Sequence, residues 1–133
     1  MEKIALLFGV VLTVFLAGCI GGNSKVVEEV GILSGSSPTK TFVITGENFK
    51  FLMDGQEAPA LRVAHGDKVR IEFTSTQGFH DWVVDEFNAA TEKVSEGGST
   101  SVEFIASEKG TFEYYCSVGD HRAQGMEGNL IVE

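Results

Sequence analysis

Between Thr41 and Val132 the chain alternates apolar and polar residues in short runs, and the runs are separated by glycine-rich turns. Val69, Ile71 and Phe73 interleave with Lys68, Arg70 and Glu72. Phe42 and Ile44, Val102 and Phe104, and Phe112 and Tyr114 each sit between polar neighbours in the same way. A period of two places one set of side chains on one face of a strand, so these runs predict half-buried strands of an antiparallel sheet system. Turn signals recur at Asp54-Gly55, His65-Gly66-Asp67, Gly97-Gly98, Lys109-Gly110 and Glu127-Gly128, a spacing that favours a sandwich or a barrel. No long helical period is present; Asn88 to Glu96 has room for a turn or two of helix. The reading is all-β, with no internal repeat and no low-complexity segment.

A length of 133 residues leaves one compact domain of about 100 residues after the N-terminal segment, too small for a large substrate cleft. Lys plus Arg number 10 against 19 Asp plus Glu, and no basic cluster stands anywhere, which excludes a nucleic-acid partner. Net acidity favours partners with basic docking faces.

Met1-Glu2-Lys3 is followed by the uncharged, mostly apolar stretch Ile4 to Gly18, ending in Leu16-Ala17-Gly18-Cys19. This is the profile of a secretory signal peptide over residues 1–18. Small residues directly before a cysteine resemble the lipobox of exported lipoproteins, which makes Cys19 a lipid anchor and the new first residue. Because the uncharged run extends to Ser24, an uncleaved membrane helix is the alternative. Either version holds the rest of the chain at the outer surface of a membrane. Residues 19–39 contain Gly21-Gly22-Asn23-Ser24 and Gly35-Ser36-Ser37-Pro38 and read as a flexible tether, although Val26 to Leu33 reads equally as a first strand. The folded domain is then expected over residues 40–133.

The chemistry lies in the last third. Cys116, His121 and Met126 stand in a C-x4-H-x4-M arrangement just beyond a strand, and His80 opens an expected strand from His80 to Phe87. Strand parity puts Cys116 on the inward face of Phe112 and Tyr114, and His80 on that of Trp82 and Val84. Two imidazoles, one thiolate and one thioether form the ligand set of a mononuclear blue copper centre: the soft thiolate suits Cu(I), imidazole suits both oxidation states, and a weak axial thioether avoids enforcing a tetragonal Cu(II) geometry. Taken singly, an inward cysteine or a buried methionine is ordinary core, and His65, in an expected turn, reads as a surface residue. Their joint spacing is what points to metal. If Cys19 is acylated and Cys116 binds copper, no cysteine is left for a disulfide.

These residues resemble the cupredoxins, in particular the plastocyanin, pseudoazurin and rusticyanin group. The resemblance covers most of residues 41–133 and includes Val63-Ala64-His65-Gly66-Asp67-Lys68-Val69, Phe79-His80, Tyr115-Cys116-Ser117 and Gly125-Met126-Glu127-Gly128 before Leu130-Ile131-Val132. It implies a Greek-key β-sandwich of about eight strands. It also implies one copper ion cycling between Cu(I) and Cu(II), with His80, Cys116 and His121 as equatorial ligands and Met126 as the axial one. The spacing from Cys116 to His121 is longer than in plastocyanin and resembles that of rusticyanin. Asp81 follows His80 where many members have Asn, whose side chain ties the two ligand loops together. The related binuclear domain needs two cysteines on the loop, and only Cys116 is present there.

The resemblance implies a one-electron carrier, not an enzyme, shuttling electrons between redox partners at the outer face of a membrane and working as a monomer. Electrons are expected to leave through the edge of His121, within an apolar patch from Val118, Ala123 and Gly125. An extracytoplasmic Cu(I) chaperone or storage protein is the alternative, and a metal-free binding module the third reading. Enzymes of this fold add histidine ligands, often as H-x-H; this chain has three histidines and no such pair.

Overall fold

The computed structural model describes residues 38–133. The leader at 1–18, Cys19 and the tether up to residue 37, including the patch Val26 to Leu33, lie outside the described residues. In chain order the strands are β1 (Lys40–Glu47), β2 (Lys50–Met53), β3 (Gln56–Glu57), β4 (Leu61–Val63), β5 (Lys68–Ser75), β6 (Val83–Val84), β7 (Ala89–Ala90), β8 (Ser99–Ile105), β9 (Gly110–Tyr115) and β10 (Glu127–Val132). They form two five-stranded sheets, β3-β2-β1-β5-β8 and β4-β10-β9-β6-β7. Most connections pass from one sheet to the other, giving the sandwich that the turn spacing favours, with the Greek-key connectivity that the resemblance implies.

The alternation does what period two requires. Along β5 every second residue is buried, with Val69, Ile71, Phe73 and Ser75 inward. Those side chains meet Ile44 of β1, and Leu61, Tyr114, Leu130 and Val132 complete the core from the second sheet.

Three expectations are corrected. The described strands number ten, not about eight, because β3, β6 and β7 are two residues long, too short for any periodic signal. The sheets are mixed, not antiparallel throughout: β1 pairs with β5 in parallel, and β4 with β10. Parallel pairing leaves no hairpin in the sequence by which to read it. Asn88 to Glu96 holds no helix; Ala89 and Ala90 pair with Val84 and Val83, and Val94 bridges to His80.

Tyr114 is the pivot of the core. It stacks on Trp82 at 5.6 Å and meets Phe51 edge to face at 5.3 Å, and its hydroxyl donates a 2.6 Å hydrogen bond to the carbonyl of Pro59. Burial pushes this phenol far above its ordinary range, so it serves as a neutral donor. Among the described residues, the indole nitrogen of Trp82 is the one buried side-chain polar atom without a partner.

The topology brings three loops to one end of the sandwich. Because β1 and β5 run in parallel, the β1–β2 turn and the segment after β5 emerge together, joined by a 2.9 Å bond from the Thr76 amide to the Gly46 carbonyl. Antiparallel β9 and β10 are extended by one rung, from the Cys116 amide to the Met126 carbonyl at 3.1 Å, and the loop between them closes there.

Removing the Tyr114 hydroxyl leaves the Pro59 carbonyl without its partner. Tyr114→Phe should therefore melt about 5–10 °C below the wild-type protein in a calorimetric scan, with its circular dichroism unchanged.

Candidate metal centre

His80 is fixed through its backbone and through one ring nitrogen. Its amide and carbonyl bond to Val94 at 3.1 and 2.9 Å, and its Nε2 donates to the Gln77 carbonyl at 2.8 Å. That hydrogen bond places the ring proton on Nε2 and leaves Nδ1 as a bare lone pair, the state a metal-binding imidazole needs. Gly78 makes the arrangement possible. It sits at φ +91°, and a Cβ there would lie 2.9 Å from His80 Nε2.

The Cys116 sulfur is 3.8 Å from His80 Nδ1 and 3.4 Å from His121 Nδ1, and the two Nδ1 atoms are 3.1 Å apart. Three donors therefore face one point, all within 4.8 Å of one another. Lone pairs so placed repel unless a proton or a cation stands among them. Met126 is fully buried at the same end. Its amide donates to the His121 carbonyl at 3.0 Å and its carbonyl accepts from Cys116, so one residue ties together the backbones of two other ligands.

Burial depresses the basicity of His80, and the facing His121 adds to this. Burial pushes the Cys116 thiol up. The metal-free site at neutral pH thus holds a neutral imidazole and a protonated thiol.

Asp81 is 2% exposed and joins the two ligand loops. One carboxylate oxygen accepts from the Ser117 amide at 2.7 Å and the other from the Ser117 hydroxyl at 2.5 Å. The tie that Asn provides in many cupredoxins is made here by a carboxylate using both oxygens. A second brace lies outside: Arg122 pairs with Glu113 at 2.7 and 2.9 Å and lies over the Tyr115 ring at 4.0 Å. It presses the 3-10 turn Arg122–Gln124 onto the outer face of β9.

All four ligands expected from the sequence come together at this end, and His65 does not. It is exposed, with Nε2 beside the Ser107 carbonyl at 3.0 Å. Two details differ from expectation. His80 does not open a long strand: β6 is only Val83–Val84, and the residues from His80 to Val84 are all buried, so parity does not single out His80. Of the expected apolar patch of Val118, Ala123 and Gly125, Val118 lines the cleft beside His121. That cleft, of about 230 Å³, is lined also by Phe49 and Phe79, with Asn48, Gln77, Gly78 and the edge of His80. Phe49 meets the His121 ring edge-on at 4.8 Å. Sequence reasoning missed Phe49 because it lies 72 residues before His121, in a turn whose composition gives no turn signal.

The family model "Copper binding proteins, plastocyanin/azurin family" matches residues 43–133. The chain belongs to this family. As in a cupredoxin, His80, Cys116, His121 and Met126 are arranged as a single copper-binding site. No curated protein sequence matches it. Among solved structures, this cupredoxin is similar to dithionite-reduced auracyanin from the photosynthetic bacterium Roseiflexus castenholzii, at 25% identity and a TM-score of 0.60 over 71% of this chain and 97% of the other. Reduced rusticyanin matches at 26% identity and a TM-score of 0.57, over 75% of this chain and 81% of the other. Copper nitrite reductase from Nitrosomonas europaea matches at 21% identity and a TM-score of 0.60, over 72% of this chain but 42% of the other. That last likeness is one of fold.

Two outcomes follow from this geometry. Loading the metal-free protein with copper near pH 7 should release about one proton per ion, from Cys116, measurable by calorimetry in buffers of different ionisation enthalpy. Gly78→Ala should weaken copper binding by about tenfold or more in a competition titration, because the new methyl displaces the imidazole from the Gln77 carbonyl.

Proposed function

We propose that this cupredoxin is a one-electron carrier with a type 1 copper centre, and that His121 is where electrons enter and leave. Copper bound there supplies the redox couple, cycling between Cu(I) and Cu(II). The protein's own part is to hold the donors still. His80 is locked by Gln77 and Val94, Cys116 by the β9–β10 ladder, and the two loops by Asp81, so the donor positions are set by the fold in either oxidation state.

The observation that carries this reading is the unequal exposure of the ligands. His80, Cys116 and Met126 are 3%, 1% and 0% exposed, whereas His121 is half-buried and lines a surface cleft beside Phe49, Phe79 and Val118. An apolar rim around one ligand edge allows close approach of a partner without stripping water from charges. The same enclosure favours retention of copper over its delivery as a chaperone.

We further propose that the domain works outside the cytoplasm, held at a membrane by Cys19 or by an uncleaved N-terminal helix. Its partners are redox proteins, and its net charge of -9 steers it to those with basic faces. The carrier reading needs no substrate site, and none of the four ligands is open to a small molecule except along the His121 cleft.

Voltammetry should show a single reversible one-electron wave. Phe79→Asp and Val118→Asp place like charges against each other when two copies meet at this face, and should slow electron self-exchange by about tenfold or more while leaving the wave reversible. Concentration-dependent NMR line broadening in mixed-oxidation samples reads that rate. Unchanged exchange in both variants would mean that electrons use another face.

A further inference from the structure

Two adjacent hairpins of the first sheet turn with two-residue loops. Met53 pairs with Gln56 around Asp54-Gly55, at φ 52° and 77°. Glu47 pairs with Lys50 around Asn48-Phe49, at φ 44° and 63°. Positive φ at both central positions marks a tight turn that Asp-Gly and Asn-Gly satisfy without strain. The first sequence follows that rule and the second breaks it at its last position. Phenylalanine in the left-handed region is a true outlier, which the surroundings must enforce.

Core packing does not explain the choice. Phe49 is 39% exposed, while Phe51, two residues on, is 1% exposed and supplies the aromatic core contacts with Phe73 and Tyr114. What Phe49 does touch is the ring of His121, at 4.8 Å and 79°. The turn that carries it is anchored on the other ligand loop, through bonds from the Thr76 amide and hydroxyl to the Gly46 carbonyl at 2.9 and 3.2 Å and from that hydroxyl to Glu47 at 3.2 Å. The ring is therefore held by one ligand loop and pressed against the other.

We propose that Phe49 is a positioning residue: the strained Asn48-Phe49 turn holds its ring as a fixed cover on His121, which locks the imidazole and denies small anions access to the metal. This rests on the copper reading above. His121 needs such a brace most. Among the described residues, no side-chain or carbonyl partner holds the far edge of its ring in the way that Gln77 holds His80.

The test uses the full chain carrying Phe49→Gly, Phe49→Leu or Phe49→Tyr. In metal-free protein, Phe49→Gly should melt at or slightly above the wild-type temperature, since glycine relieves the turn. The nuclear Overhauser contacts that fix the His121 ring should be lost. In the Cu(II) form, azide should perturb the visible spectrum of Phe49→Gly at a concentration about tenfold below that needed for wild type. Phe49→Leu should respond in the same direction, and Phe49→Tyr, which keeps the ring, should behave as wild type. A wild-type azide response in both Phe49→Gly and Phe49→Leu overturns the proposal, and so does a fully ordered His121 ring in either. If Phe49→Gly fails to fold, the strain argument falls and Phe49→Leu decides the cover. A wild-type protein with no thiolate-to-copper band removes the copper reading itself, and the proposal with it.

Discussion

The metal centre depends on two loops from different parts of the chain being held in register, and the buried carboxylate of Asp81 does this. A carboxylate at 2% exposure is costly unless its oxygens are satisfied. Here both are, by the Ser117 amide and hydroxyl, directly beside the ligands His80 and Cys116. The rest of the site assembles around that joint. The Gln77 carbonyl orients one imidazole, the β9–β10 ladder carries the thiol, and Met126 links Cys116 to His121 through its own amide and carbonyl. None of these contacts uses the metal. The fold itself holds the donors in place, so little need move when a bound copper ion changes oxidation state.

Much of this was legible in the sequence because strand periodicity and ligand spacing are local signals. The alternation along β5 appears unchanged as alternating burial, and the C-x4-H-x4-M run does bring Cys116 and His121 face to face, with Met126 buried at the same end. His80 was found as well, but parity is not why it faces the site. Its neighbours from Asp81 to Val84 are buried too, and its orientation comes from Gln77 and Val94. Non-local contacts were invisible. Nothing in Asn88 to Glu96 reveals that its ends pair back onto Val83 and His80, and nothing in Val63 or Ser75 reveals a parallel neighbour.

The same limit hid Phe49. A hairpin turn is read from its composition, so Asp54-Gly55 stood out and Asn48-Phe49 did not, although the two loops have the same length and the same sign of φ. Local rules are broken where another demand overrides them. At Asn48-Phe49 the competing demand is a ring against His121. At Trp82 it is an aromatic stack with Tyr114 and Phe104, which leaves the indole N–H unpaired.

Electron transfer at this site requires the Cys116 sulfur to be a copper ligand. The direct measurement is the visible absorption spectrum of the Cu(II)-loaded protein beside Cys116→Ala. An intense thiolate-to-copper charge-transfer band, bleached by reductant and absent from the variant, is the predicted result. Only the weak bands of nitrogen and oxygen ligation in the wild type, or an intense band that survives in Cys116→Ala, would contradict it.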